Sequence, residues 1–179
     1  AALARSAPAG DPRGWRGELA LEAGTFEGRP FARPVLRLAA TALAGGGRAT
    51  LEGRLSAGAA LGDLPPQRLF LLGGPGTLPG YAYRSFSGDR FALAEVEAGR
   101  DLVAPWIRLR ALAALGWTGH HAGPAPAGWD TRPAGHARAA VAAGVGLVYD
   151  ILRADFARGL HGGRWQLVLS VNPELRDIL

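Results

Sequence analysis

Eight stretches of this sequence alternate apolar and polar residues with a period of two, the mark of β-strands whose two faces meet different surroundings. The first runs from Trp15 to Phe26, with Leu19, Leu21 and Ala23 on one parity and Arg16, Glu18 and Glu22 on the other. The second, Phe31 to Leu43, sets Leu36, Leu38, Ala40 and Ala42 against Arg33, Arg37 and Thr41; the third, Arg48 to Leu61, sets Leu51, Leu55, Ala57 and Ala59 against Thr50, Glu52, Arg54 and Ser56. The fourth carries Ala92, Ala94, Val96 and Ala98 against Glu95, Glu97 and Asp101, and the fifth carries Ile107, Leu109, Leu115 and Trp117 against Arg108 and Arg110. The sixth opposes Val141, Val145, Leu147 and Tyr149 to Arg138, Ala142, Gly144 and Gly146, and a short seventh opposes Ala154 and Phe156 to Arg153 and Asp155. The eighth places Trp165, Leu167, Leu169 and Val171 opposite Arg164, Gln166, Ser170 and Asn172. Arg158 is the residue that breaks the rule, near a strand end. One rule obeyed eight times predicts an all-β, antiparallel eight-stranded meander.

Alternation does not say which face is inside. A soluble up-and-down barrel buries its apolar face, whereas a membrane barrel turns that face to lipid. Most segments are long enough for the roughly 9 to 11 residues that a tilted strand needs to cross a bilayer. The connections also sort into two classes. Gly45 to Gly47, Leu102 to Pro105 and a turn near Asp150 are short and fall at one end. Glu27 to Pro30, residues 62–89, Thr118 to Gly135 and His161 to Gly163 fall at the other, two of them long. Such asymmetry is characteristic of transmembrane outer-membrane barrels, and eight strands put both termini on the short-turn side. Trp15, Trp117, Tyr149 and Trp165 hold the apolar parity at strand ends, where an aromatic girdle is expected. A charge at the midplane of a lipid face costs about 2–4 kcal/mol, which accounts for the segregation of Arg and Glu to the other face.

Composition narrows the functional classes. There is no Cys, so neither a disulfide nor a thiolate metal site is available. There is no Met, which we read as the mark of a processed or excised piece. All 20 basic residues are Arg, and the net charge is +5. The arginines stand singly among apolar residues, a poor nucleic-acid footprint, so no nucleic-acid partner is expected. No apolar run reaches the length of a membrane helix, and no signal peptide opens the chain. Gly74, Gly76 and Gly80 lack the dinucleotide spacing, and no helix follows them. His120, His121 and His136 have no third carboxylate ligand placed beside them, and Ser85 and Ser87 lack a nucleophile-elbow motif. Glu95 and Glu97 are same-face strand neighbours of Arg108 and Arg110, which predicts an ion-pair ladder rather than a catalytic acid pair. No metal, cofactor or catalytic residue is expected.

The stretch "RLFLLGGPGTLPGYAY" followed by "GDRFALAEVEAGRDL" resembles the C-terminal barrel of the BamA/TamA family of outer-membrane assembly proteins, the bacterial surface antigen family. In that family a loop of the form Gly-Gly, spacer, Leu/Val/Ile-Arg-Gly-Phe/Tyr folds back into the barrel, and inward acids follow. The matching residues here are Gly73, Gly74, Leu78, Gly80 and Tyr81, then Glu95 and Glu97. "ALAALGWTG" looks like the family's next strand, and "GVGLVYDILRADFARGL" like its penultimate hairpin, with Asp155 in the lumen. The resemblance covers nearly all of residues 1–179, read as one barrel domain.

It implies a bacterial outer-membrane location, a non-enzymatic role in inserting or exporting client polypeptides, and contacts with outer-membrane lipid, clients or periplasmic factors. The family barrel is about twice this size, so the chain is expected to be the C-terminal half, completed by missing N-terminal strands or a second chain, with residues 62–89 directed into the lumen; the competing picture is a small closed barrel with that loop outside, on the extracellular side. Two departures stand out. Pro79 holds the place of the family's loop arginine, and Ala114 the place of its partner aspartate. The loop is therefore expected to be held differently, by Arg84 or Arg68 reaching Glu95 or Glu97. The chain also ends in "NPELRDIL" rather than in a terminal aromatic. Two further functional classes fit the alternation: a barrel that anchors or exports an upstream enzyme domain such as a patatin-like lipase, and a soluble barrel for a small apolar ligand.

Overall fold

In the computed structural model the chain is described over residues 2–6, 13–120 and 133–171, and its side chains over 14–120 and 133–171. In chain order the strands are β1 (Ala2–Ser6), β2 (Arg13–Phe26), β3 (Arg29–Ala44), β4 (Ala49–Ala59), β5 (Leu61–Gly62), β6 (Phe70–Leu72), β7 (Phe86–Gly88), β8 (Arg90–Val103), β9 (Ile107–Gly119), β10 (Arg138–Leu147), β11 (Leu152–Gly159) and β12 (Trp165–Val171). No α-helix occurs among the described residues.

The eight expected strands are all present, and every neighbouring pair along β2-β3-β4-β8-β9-β10-β11-β12 is antiparallel. A ninth strand, β1, pairs with β2 from Ala2↔Ala20 to Ser6↔Arg16. It escaped the sequence because five residues give too few periods to stand out. Its presence also moves the first described residue: Ala2 lies level with Ala20, midway along β2, rather than on the short-turn rim, whereas β12 ends at Val171 opposite Leu152, on that rim. No pairing joins β1 to β12 among the described residues, so the sheet is open there.

Two boundaries move. Tyr149 is not the last residue of a strand: β10 ends at Leu147, and Val148, Tyr149 and Asp150 turn the chain with φ of 50°, 59° and 61°. β8 runs further than its alternating core, so Arg90 and Arg100 join Arg158 on the apolar parity, all three near strand ends. At the other hairpins, Glu27 and Gly28 make a two-residue turn with both φ positive, the geometry that matches strand twist. Residues 121–132, which include His121, lie outside the described residues.

The two faces differ as the parity predicts. Leu19, Leu21, Leu51, Leu55, Leu115 and Leu167 are exposed on one face, up to Leu169 at 74%. On the other face lie the paired charges, and residues 62–89 pack there. The buried cluster consists of Leu72, Leu78 and Tyr81 from that loop against Leu93, Ala114 and Ala140 from β8, β9 and β10. The core of this molecule is thus the contact between loop and charged face, and the leucine face is left uncovered.

Candidate functional site

The charged face is a wall of ion pairs set by register. Glu18 opposes Arg37 and Glu22 opposes Arg33, and these pairs close to 3.3 and 3.7 Å. Farther along, Glu52 lies directly opposite Glu97, a like-charge pairing that is unfavourable by itself. Arg54 resolves it, standing 3.6 Å from Glu52, 3.5 Å from Glu97 and 3.9 Å from Glu95. Arg108 pairs with Asp101 at 2.7 Å and donates to the Thr50 hydroxyl.

Arg110 is the centre of the wall. It is 8% exposed, and its guanidinium donates to Glu97 Oε1 from Nε at 3.1 Å and Nη2 at 2.9 Å, and to Asp155 from Nη1 at 3.3 Å. Arg110 and Asp155 are on β9 and β11, with Gly144 of β10 between them, paired to both. A Cβ at Gly144 would lie 2.7 Å from Asp155 Cα and closer still to its carboxylate. The missing side chain is what lets the guanidinium reach across a strand. A buried arginine is tolerable only with its charge matched in this way.

The loop is a strap fastened at both sides of the sheet. Near β2 and β3, Arg68 Nε is 3.1 Å from Glu22, while Phe70 stacks 4.6 Å from Phe91 and lies under Arg33 at 4.0 Å. The glycine-rich turn then closes on itself. Gly73 N–H donates to Thr77 Oγ1 at 2.9 Å, Gly74 N–H to the Leu78 carbonyl at 3.2 Å, and Arg84 N–H to the Gly73 carbonyl at 3.3 Å. Gly73 has φ +112°, and a Cβ there would meet the Ala82 carbonyl at 2.5 Å, so only glycine fits. Leu78 is 0% exposed, its methyls pressed into the space that Gly116 leaves open.

The far end of the strap grips the last hairpin. Gly80, at φ +82°, donates its N–H to Gln166 Oε1 at 3.2 Å and accepts the Arg164 N–H at 2.8 Å. It lies against Gly159, where a Cβ would meet the Gly80 carbonyl at 3.0 Å and the Tyr81 ring at 2.9 Å. The Tyr81 hydroxyl donates to the Ala139 carbonyl at 3.1 Å and accepts the His161 N–H at 3.0 Å. Arg138 closes the corner, donating to the His161 carbonyl at 2.9 Å with its guanidinium 5.4 Å over the Phe86 ring.

The structure therefore brings Gly73, Gly74, Leu78, Gly80 and Tyr81 together as one latch, and Glu95, Glu97, Arg110 and Asp155 as one charge cluster. Pro79 joins the two, since it lines with Pro75 and Gly76 a cleft of about 370 Å³ that also exposes Arg54, Glu95, Glu97, Arg110 and Asp155. The expected fastening by Arg84 or Arg68 on Glu95 or Glu97 is not found. Arg68 lies at the opposite end of the strap, where Glu22 is its nearest acid, and Arg84 turns at φ 54° to place its guanidinium 4.8 Å over the Tyr83 ring. Arg108 takes Asp101 rather than Glu95 or Glu97 as its partner. Ala114, where the resemblance calls for an acid, is buried in the apolar cluster beneath Leu78.

Several site residues have no counterpart in the sequence reading. Gly159, Ala139, His161 and Arg164 act through backbone atoms, which leave no side-chain signature. Arg54 and Gly144 are visible only once the register is known. Trp106 lies outside any alternating segment, yet it is exposed on the short-turn rim with its ring 6.3 Å from Tyr149. No group of three or more His, Cys, Asp or Glu among the described residues is placed to hold a metal ion. No protein-family model and no curated protein matches this chain.

Proposed function

We propose that this chain forms part of the wall of a bacterial outer-membrane β-barrel of the assembly and translocation type, which moves client polypeptides into or across the membrane without covalent chemistry. The observation that carries this reading is the division of the sheet into an uncovered leucine face and a charged face strapped by the glycine-rich loop. On the apolar parity of the described strands there is no acid, and the cations Arg5, Arg13, Arg90, Arg100 and Arg158 all stand near strand ends. The ten steps from Ile107 to Trp117 along β9, at about 3.3 Å each and tilted by about 40°, cover about 25 Å, the height of a lipid-facing band. Trp15, Trp106 and Tyr149 at the short-turn rim and Trp117 and Trp165 at the other rim bracket that band. A soluble ligand-binding barrel would instead bury those leucines beneath the loop.

Assembly rather than simple anchoring is favoured by where the strap ends. It holds β11 and β12, and β12 is an edge strand. In lipid an unpaired strand edge leaves backbone donors and acceptors unsatisfied at several kcal/mol each. The edges at β1 and β12 therefore call for further strands, from this protein, a second chain or a client. A closed barrel of eight or nine strands has room inside only for side chains, so the strap also argues for a larger barrel. The test is folding of a urea-unfolded outer-membrane barrel into phosphatidylcholine vesicles with and without the embedded protein, followed by heat-modifiable gel mobility. Faster client folding in the protein-bearing vesicles is expected. An unchanged rate, with the protein itself embedded, overturns the assembly reading.

A further inference from the structure

Arg158 interrupts the apolar face, and its surroundings give that interruption a purpose. It is the penultimate residue of β11, with Val141 of β10 on one side and Trp165 of β12 on the other. Phe156 and Leu160, two residues away on the same parity, are exposed, as is Trp165. The Arg158 guanidinium lies 5.3 Å over the Trp165 ring, which stacks at 4.8 Å and 13° on Phe156. No acid stands within ion-pair distance of Arg158 among the described residues, whereas Arg33, Arg37, Arg108, Arg110 and Arg153 on the opposite face are each matched to an acid.

A lone cation amid exposed aromatic and aliphatic side chains has no acid beside it among the described residues. A guanidinium is built to take two oxygens of a phosphate at once, and an aromatic ring beneath it holds the fork in place. A long cationic side chain at the rim of a lipid band also keeps its stem on apolar surface and its head at headgroup level. We propose that Arg158, seated on Trp165, binds the phosphate of an anionic phospholipid at the long-loop rim, a site that rests on the membrane reading above. The apolar residues Phe156, Leu160 and Val141 would then receive the start of its acyl chains.

The test uses the full chain reconstituted in vesicles of phosphatidylcholine with a minor fraction of phosphatidylglycerol, then extracted in mild detergent for native mass spectrometry of retained lipid. Wild type is expected to retain phosphatidylglycerol over phosphatidylcholine, and Arg158→Gln to lose about fivefold of that preference, the weight of one cation near an anionic membrane surface. Trp165→Leu should lose part of it. Arg37→Gln, which removes a charge from the opposite face, should lose none. Equal retention by wild type and Arg158→Gln overturns the proposal, as does an equal loss in Arg37→Gln, which would mark a bulk charge effect. Failure of wild type to embed in any vesicle overturns the membrane reading, and the headgroup site with it.

Discussion

Replacing Gly80 with alanine should release the strap from the last hairpin. The new methyl would point at backbone: Arg158 C at 2.7 Å, the Arg164 carbonyl at 2.8 Å, and Gly159 N closer than either. None of these is the flexible tip of a side chain, so relief has to come from the two segments moving apart. Holding alanine at φ +82° costs about 1–2 kcal/mol, and forcing a methyl into a packed contact about 1–3 kcal/mol more. Separation also weakens the Gly80–Gln166 and Arg164–Gly80 hydrogen bonds, each worth about 1 kcal/mol net. The sum, about 3–6 kcal/mol, lowers the docked-to-undocked ratio by roughly a hundredfold or more. Limited trypsin digestion at Arg84, exposed near the strap's tip, reads that population directly while opening is fast relative to cleavage. Gly76→Ala is the matched control, because nothing lies within 4 Å of a Cβ there and its φ is ordinary. Equal digestion of Gly80→Ala and Gly76→Ala would refute the idea that this glycine contact holds the strap.

Three further perturbations test other parts of the structure. Leu78→Ala should destabilise the loop by about 2–5 kcal/mol, since the side chain is fully buried, and should raise amide exchange at Tyr81 and Arg84 while leaving β2 and β3 unchanged. Arg110→Met leaves the half-buried Asp155 without its cation and Glu97 with Arg54 alone, and should cost up to about 3 kcal/mol in urea or thermal unfolding; adding Glu97→Gln and Asp155→Asn should restore most of it, and no restoration would deny the network. Leu115→Arg, on the uncovered face, should lower bilayer insertion by about 2–4 kcal/mol, whereas Ala142→Arg on the charged face of the neighbouring strand should insert far better; equal insertion by the two would reject a lipid-facing leucine surface.

The eight long strands were legible because their two faces differ chemically at nearly every position, so each strand repeats the same evidence. β1 was not, having five residues and no long apolar side chain beyond Leu3. The glycine-rich segment was recognisable as a close-packed loop, and its attachment to the charged face followed from the resemblance. Its grip on the last strands was not visible, because Gly80 meets Gly159 and Arg164 through backbone and the Tyr81 hydroxyl meets only backbone atoms of Ala139 and His161. Backbone atoms are the same in every residue, and pairing rules built on side-chain chemistry pass over them. Assigning Arg68 and Arg84 to Glu95 and Glu97 failed for a related reason. Complementary charge selects a class of partner, while distance along a folded loop selects the partner itself, and Glu22 is the nearer acid.

The departures at Pro79 and Ala114 become intelligible together with Arg110. An arginine at position 79 would enter a cleft where Glu97 and Asp155 already share a guanidinium supplied by the wall. A second cation there would find those acids taken, and an aspartate at 114 would be buried among Leu72, Leu78 and Tyr81 with a like charge, Glu95, as its cross-strand partner. Either residue alone carries the cost of an unpaired buried charge, so proline and alanine are mutually consistent choices. Around Arg110 the electrostatics are closed within the wall, through the gap at Gly144. The strap is left to dock at its hairpin end by shape and backbone hydrogen bonds, through Leu78, Gly80 and Tyr81, and so by interactions that salt screens far less than an exposed ion pair.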